Sequence, residues 1–122
     1  AGEGKIASAT RADYAAAAAR VISEEGHAGK VYELAGDKAW TLSDLAALLS
    51  EASGKKVVYQ NLSEADFAAA LKGAGLPDGL AEMLADSDIG ASKGGLFDDS
   101  QTLSKLIGRP TTSIADSVND LL

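Results

Sequence analysis

Residues 5–23 read KIASATRADYAAAAARVIS. A short extended run, Lys5–Ala9, meets Thr10-x-x-Asp13, a hydroxyl three positions ahead of a carboxylate. That is the capping-box spacing, in which the hydroxyl takes a free amide of the first helical turn. The stretch therefore predicts a strand and then a helix through Ser23, with Tyr14, Ala18, Val21 and Ile22 on its apolar side and Gly26 as its stop.

The same order recurs outward from this stretch. A second run, Lys30–Ala35, leads through Gly36 to Thr41-x-x-Asp44 and a helix carrying Leu42, Leu45, Ala46, Leu48 and Leu49, stopped by Gly54. Lys56–Asn61 is the third run, and Ser63-x-x-Asp66 opens a helix with Phe67, Ala70 and Leu71. Pro77 suits a first helical turn ahead of Leu80, Met83 and Leu84. Two further helices are predicted, one over Ser100–Ile107 ended by Gly108, the other starting near Thr112 or Ser113. Strands separated by helices of this length predict right-handed crossovers. The expected fold is α/β: a small, three-stranded, mainly parallel sheet with helices, followed by a C-terminal helical lobe.

Composition narrows the function. Of the 122 residues, 24 are alanine and six are aromatic, so the core must come from close helix packing. A net charge of -7 opposes binding to a phosphate backbone, and nucleic acid is not an expected partner. With no cysteine and one histidine there is no disulfide, thiolate or histidine-cluster metal site to expect. No apolar run has membrane length, so no membrane insertion is expected and a cytoplasmic location fits best. No glycine stretch has the context of a dinucleotide-binding loop, which must follow a strand and open a helix. Gly2–Gly4, Gly73–Gly75 and Gly90–Gly95 all read as turns.

The ordered series of segments carries a resemblance. KIASATRADYAAAAARVI is similar to a segment of extended and atypical short-chain dehydrogenases in which a short strand, an Arg-x-Asp pair and an aromatic residue open a helix beside the cofactor. VYELAGDKAWTLSDLAALLSEASGKKVVYQNLSEADFAAAL continues that likeness, and LIGRPTTSIADSVNDLL resembles the end of NmrA-like members. The resemblance covers nearly the whole chain. It implies the C-terminal, substrate-side domain (residues 1–122) of a larger NAD(P)H-dependent quinone reductase whose dinucleotide-binding half is absent. NADP would be the cofactor and a quinone the substrate of the full-length protein, while the isolated chain would be inactive. Alternatives are an NmrA-type sensor, which binds NAD(P) without turnover, and a free-standing interaction module.

On this resemblance, the turn Ala9, Thr10, Arg11, Ala12, Asp13 and Tyr14 would lie against the nucleotide. A helix start offers free N–H groups and Arg11 adds a cation. Read from the residues alone, Thr10 and Asp13 form a cap, Arg11 is a solvated charge and Tyr14 packs in the core. Phe97 is the candidate substrate-binding residue, in a loop that could fold over the acceptor. No catalytic side chain is expected. The Tyr-Lys acid of short-chain dehydrogenases is missing, because Tyr14, Tyr32 and Tyr59 are followed four positions later by Ala18, Gly36 and Ser63. His27 reads as a surface histidine, Trp40 as a staple onto the following helix, and Asp86, Asp88, Asp98 and Asp99 as solvated loop acids. Cutting one α/β protein in two would expose an apolar face, so a homodimer is expected.

Overall fold

The computed structural model describes residues 1–122. Six helices follow one another: α1 (Arg11–Ser23), α2 (Leu42–Ser53), α3 (Glu64–Gly73), α4 (Asp78–Ser92), α5 (Thr102–Ile107) and α6 (Ile114–Leu121). Four of them start as the hydroxyl-to-aspartate spacing predicts, with Thr10, Thr41, Ser63 and Ser113 each accepting from the backbone N–H three residues on. At α2 the bond is reciprocal, since Asp44 also accepts from the Thr41 N–H. Gly54 and Gly108 close α2 and α5 in the left-handed region, as expected of glycine stops. α1 instead ends at Glu24, two residues before Gly26. Pro77 is the cap of α4 rather than its first helical residue.

The expected three-stranded parallel sheet does not form. The one β-type pairing is an isolated antiparallel bridge, in which Ile6 and Trp40 exchange N–H···O bonds of 2.8 and 3.0 Å. Ala7 extends it sideways, donating to Leu96 and accepting from Gly36, each at 2.9 Å. The runs over 30–35 and 56–61 have no such neighbour: Val31 is 91% exposed and Val58 74% exposed. Strand pairing needs a second row of N–H and C=O groups about 4.8 Å away, and side-chain patterning cannot show whether one is present. At Val57 a side chain takes that role, with Ser50 Oγ bonding both its N–H and its carbonyl at 2.9 Å.

Packing is pairwise, α1 on α5, α2 on α6 and α3 on α4. The best-buried cluster is Ala17, Leu103 and Ile107, with Ala9, Ala16, Leu34 and Leu106 against it. α1 therefore turns inward through Asp13 and Ala17, not through the expected face, since Tyr14, Ala18 and Ile22 are exposed. Alanine permits this because it lets the α1 and α5 backbones approach closely without a large side chain. Gly90 lies inside α4 rather than in a turn, while Gly94 (φ 89°) does turn the chain. Asp86 and Asp88 are likewise helical, not loop acids.

Candidate functional site

Two segments, Ile6–Ser8 and Glu33–Ala35, lie beside the start of α1 and the loop after α4. Between them lies a cleft of about 310 Å³ whose walls include Tyr14, Leu34, Leu96 and Phe97. Its shape depends on a close backbone approach: a Cβ on Gly36 would sit 2.0 Å from the Ser8 carbonyl oxygen. The Tyr14 hydroxyl donates to the Leu34 carbonyl at 3.3 Å, joining α1 to one wall. Phe97, 44% exposed, follows a turn closed by its own N–H to Gly94 O. Tyr14 and Phe97, expected in two different roles, thus share one cleft.

The other residues of the 9–14 turn separate. Ala9 packs against the α1–α5 core. Thr10 is the cap, accepting from the Asp13 N–H at 3.1 Å. Arg11 and Ala12 are exposed, and the Arg11 guanidinium makes no ion pair. The N–H groups of Arg11 and Ala12 also stay free of protein acceptors, as first-turn amides do.

Asp13 has a different fate from the one its spacing suggested. Its side chain does not return to Thr10 to complete a box; it is 1% exposed and reaches the C-terminal segment. Oδ2 accepts from the Thr112 N–H at 2.7 Å, and Arg109 Nη1 stands 2.7 Å from Oδ1 as an ion pair not aligned as a hydrogen bond. Burial pushes the carboxyl pKa up, but the Thr112 amide, the Arg109 guanidinium and the Thr10 hydroxyl together hold it below the usual aspartate value. A parallel tie lies nearby, where Asp37 and Thr111 exchange bonds of 2.8 and 2.9 Å.

His27 is not an isolated surface histidine. Its ring is half-buried, Nδ1 stands 2.7 Å from Tyr32 Oη, and Nε2 lies 3.6 Å from Glu24. Glu24 in turn is held by Arg20 at 2.9 Å, which keeps its pKa below the usual range. Residue spacing did not suggest this group because Tyr32 joins from the following extended segment. The Trp40 indole N–H donates to Ser8 Oγ at 2.8 Å. That bond has no sequence signature, because the residues are 32 positions apart. No group of three or more His, Cys, Asp or Glu side chains could hold a metal, and no helix is long and apolar enough to cross a membrane.

The fit to a nucleotide can be judged on these residues. The unpaired Arg11 guanidinium and the free amides at the start of α1 suit one edge of an anionic ligand, but no glycine cradle is present for a pyrophosphate. The chain can supply part of such a site and not the whole.

The resemblance read from the sequence is borne out by known proteins. The chain is 81% identical over 121 residues to quinone oxidoreductase 2 of Escherichia coli strain K12, covering 99% of this chain and 42% of that protein. It is 30% identical over 115 residues to the NAD(P)H azoreductase of Xenophilus azovorans, across 94% of this chain and 40% of the relative. Among solved structures, the Escherichia coli NADPH-dependent quinone oxidoreductase complexed with NADPH superposes with a TM-score of 0.96 at 81% identity, over 99% of this chain and 43% of that one. The Citrobacter sp. triphenylmethane reductase complexed with NADP(H) gives 0.91 at 42% identity, over 99% and 42%. No family model matches the sequence. The chain thus spans less than half the length of the relatives it matches.

Proposed function

We propose that this chain is the substrate-side domain of a larger NADPH-dependent quinone oxidoreductase, and that the Tyr14–Phe97 cleft receives the quinone. The observation that carries this reading is the cleft itself, with two aromatic residues on its walls and the free start of α1 beside it. Its volume of about 310 Å³ suits a small one- or two-ring acceptor. The 81% identity to a quinone oxidoreductase across nearly every residue of the chain supports the same reading.

Within this proposal the chain's residues position and do not exchange protons. Phe97 and Tyr14 offer apolar faces to a planar ring. Leu34 and Leu96 exclude water from one side of it. Arg11 and the amides of Arg11 and Ala12 hold an anionic group of the nucleotide from outside the cleft. Ala9, Thr10 and Asp13 fix that turn rather than touch ligand. Bound NADPH would supply the hydride. The exposed side chains Val31 and Val58 then pack on the remainder of the protein, or on a second copy in a homodimer, and the assembly works in the cytoplasm.

Steady-state oxidation of NADPH by the whole protein with 1,4-benzoquinone tests the reading. Turnover that saturates in both reactants is expected. Stoichiometric NADPH binding with no turnover would replace the enzyme by a nucleotide-binding sensor.

A further inference from the structure

Ser8 and Tyr14 are the two hydroxyl-bearing residues that line the cleft. The Tyr14 proton is already engaged by the Leu34 carbonyl. Ser8 differs, because the Trp40 indole N–H donates to its Oγ at 2.8 Å. An indole N–H can only donate, so Ser8 accepts there and its own proton is left for another partner. No protein group takes it: Glu33 and Asp98 line the cleft, but Asp98 is turned to the N–H and hydroxyl of Ser100. Trp40 cannot drift away from Ser8, since its backbone is bridged on both sides to Ile6, two residues earlier. Ser8, a residue of the cleft wall, therefore keeps one free side-chain hydroxyl proton beside a fixed neighbour.

We propose that Ser8 Oγ–H is the hydrogen-bond donor for a carbonyl oxygen of the acceptor in the Tyr14–Phe97 cleft, and that Trp40 is the positioning residue that directs it. This rests on the quinone reading of the same cleft. Hydride transfer moves two electrons and one proton from the reduced nicotinamide, which is oxidised, to the quinone, which becomes an aromatic ring with one anionic oxygen. That oxygen then takes a proton from water to give the hydroquinone, and Ser8 keeps its own proton throughout. A donor aimed at oxygen that gains charge binds the transition state more tightly than the ground state, which raises kcat. Tyr14, with its proton turned into the wall, supplies a face and not a donor.

The test uses the whole protein carrying this chain, with Ser8→Ala, Ser8→Thr and Trp40→Phe. The first readout is the infrared carbonyl stretch of bound 1,4-benzoquinone without nucleotide; the second is steady-state turnover with NADPH. Ser8→Ala is expected to return the stretch to the frequency of unbonded quinone. It should also lower kcat about 10- to 100-fold, less than a fully enclosed oxyanion donor would cost, with an unchanged KM for NADPH. Ser8→Thr should keep the bonded stretch. Trp40→Phe should broaden it and lower kcat by a smaller factor. Identical stretches in the original protein and Ser8→Ala, or an unaltered kcat in Ser8→Ala, would overturn the assignment. The two readings fail separately. A Ser8-dependent stretch without turnover removes the reductase and keeps the donor, whereas turnover with a Ser8-independent stretch does the opposite.

Discussion

Arg109 Nη1 stands 2.7 Å from Oδ1 of Asp13, pairing a half-exposed guanidinium with a carboxylate that is 1% exposed. The pair ties the first turn of α1 to the strap between α5 and α6, and so fixes the turn that borders the cleft. A buried carboxylate stripped of its partner is costly because its charge has no water to compensate it.

Arg109→Ala is accordingly expected to destabilise the fold by about 2 to 4 kcal/mol in urea unfolding. Asp13→Asn should cost less, since an amide oxygen can still accept from Thr112 and Arg109 can turn to solvent.

The same pair sets a pH dependence. The folded pKa of Asp13 lies below the ordinary 3.8, so its contribution to stability is complete above that value and is lost as the pH falls through the folded pKa. The stability gap between the original protein and Asp13→Asn should be constant near neutrality and shrink below about pH 4. A gap that stayed constant down to pH 2 would show that the carboxylate gains nothing from its partners.

Gly36→Ala should damage the cleft directly. The added carbon would lie 2.0 Å from the Ser8 carbonyl oxygen, a backbone atom that cannot swing aside. Loss of more than about 2 kcal/mol is expected, together with weaker quinone binding. Gly26→Ala is the control: nothing lies within 4 Å of its Cβ, and only the strain of φ 93°, about 1 kcal/mol, should appear.

Arg11→Ala in the whole protein should raise the KM for NADPH about 10-fold or more while changing kcat little, as loss of one charge-assisted contact costs about 1.5 to 3 kcal/mol. Thermal stability should not change, because the side chain is exposed and unpaired. Kinetic constants equal to those of the original protein would leave Arg11 a plain surface charge.

The chain by itself is expected to self-associate. Ile22, Val31 and Val58 are 86%, 91% and 74% exposed. Such surfaces seek partners. Sedimentation equilibrium should show dimers at micromolar concentration, and a monomer that binds no hydrophobic dye would count against the idea.

Helix starts were legible because capping is local: a hydroxyl and an amide three residues apart carry the whole signal, as at Thr41 and Asp44. The sheet was not legible, because Lys30–Ala35 has the composition of a strand whether or not a neighbour lies beside it. The candidate site mixes local and long-range signals. Tyr14 and Phe97 were singled out by likeness and meet in one cleft, yet Ser8, Asp13 and His27 take their roles from residues 32, 96 and 5 positions away in other segments. Asp13 shows the limit most clearly, since a good local cap in sequence became a long-range anchor once α5 brought Arg109 alongside.

The ties from Asp13 to Thr112 and from Asp37 to Thr111 span 99 and 74 residues. During synthesis the strap at 109–112 leaves the ribosome long after the turn at Asp13. Until then Asp13 has neither its amide nor its guanidinium, and burying it would leave a bare charge in the α1–α5 contact. α3 and α4, close neighbours in sequence, can settle against each other early, whereas the α1 turn that borders the cleft must wait. The order of folding thus places completion of the candidate site after synthesis of the 109–112 strap, not with the α1 turn itself.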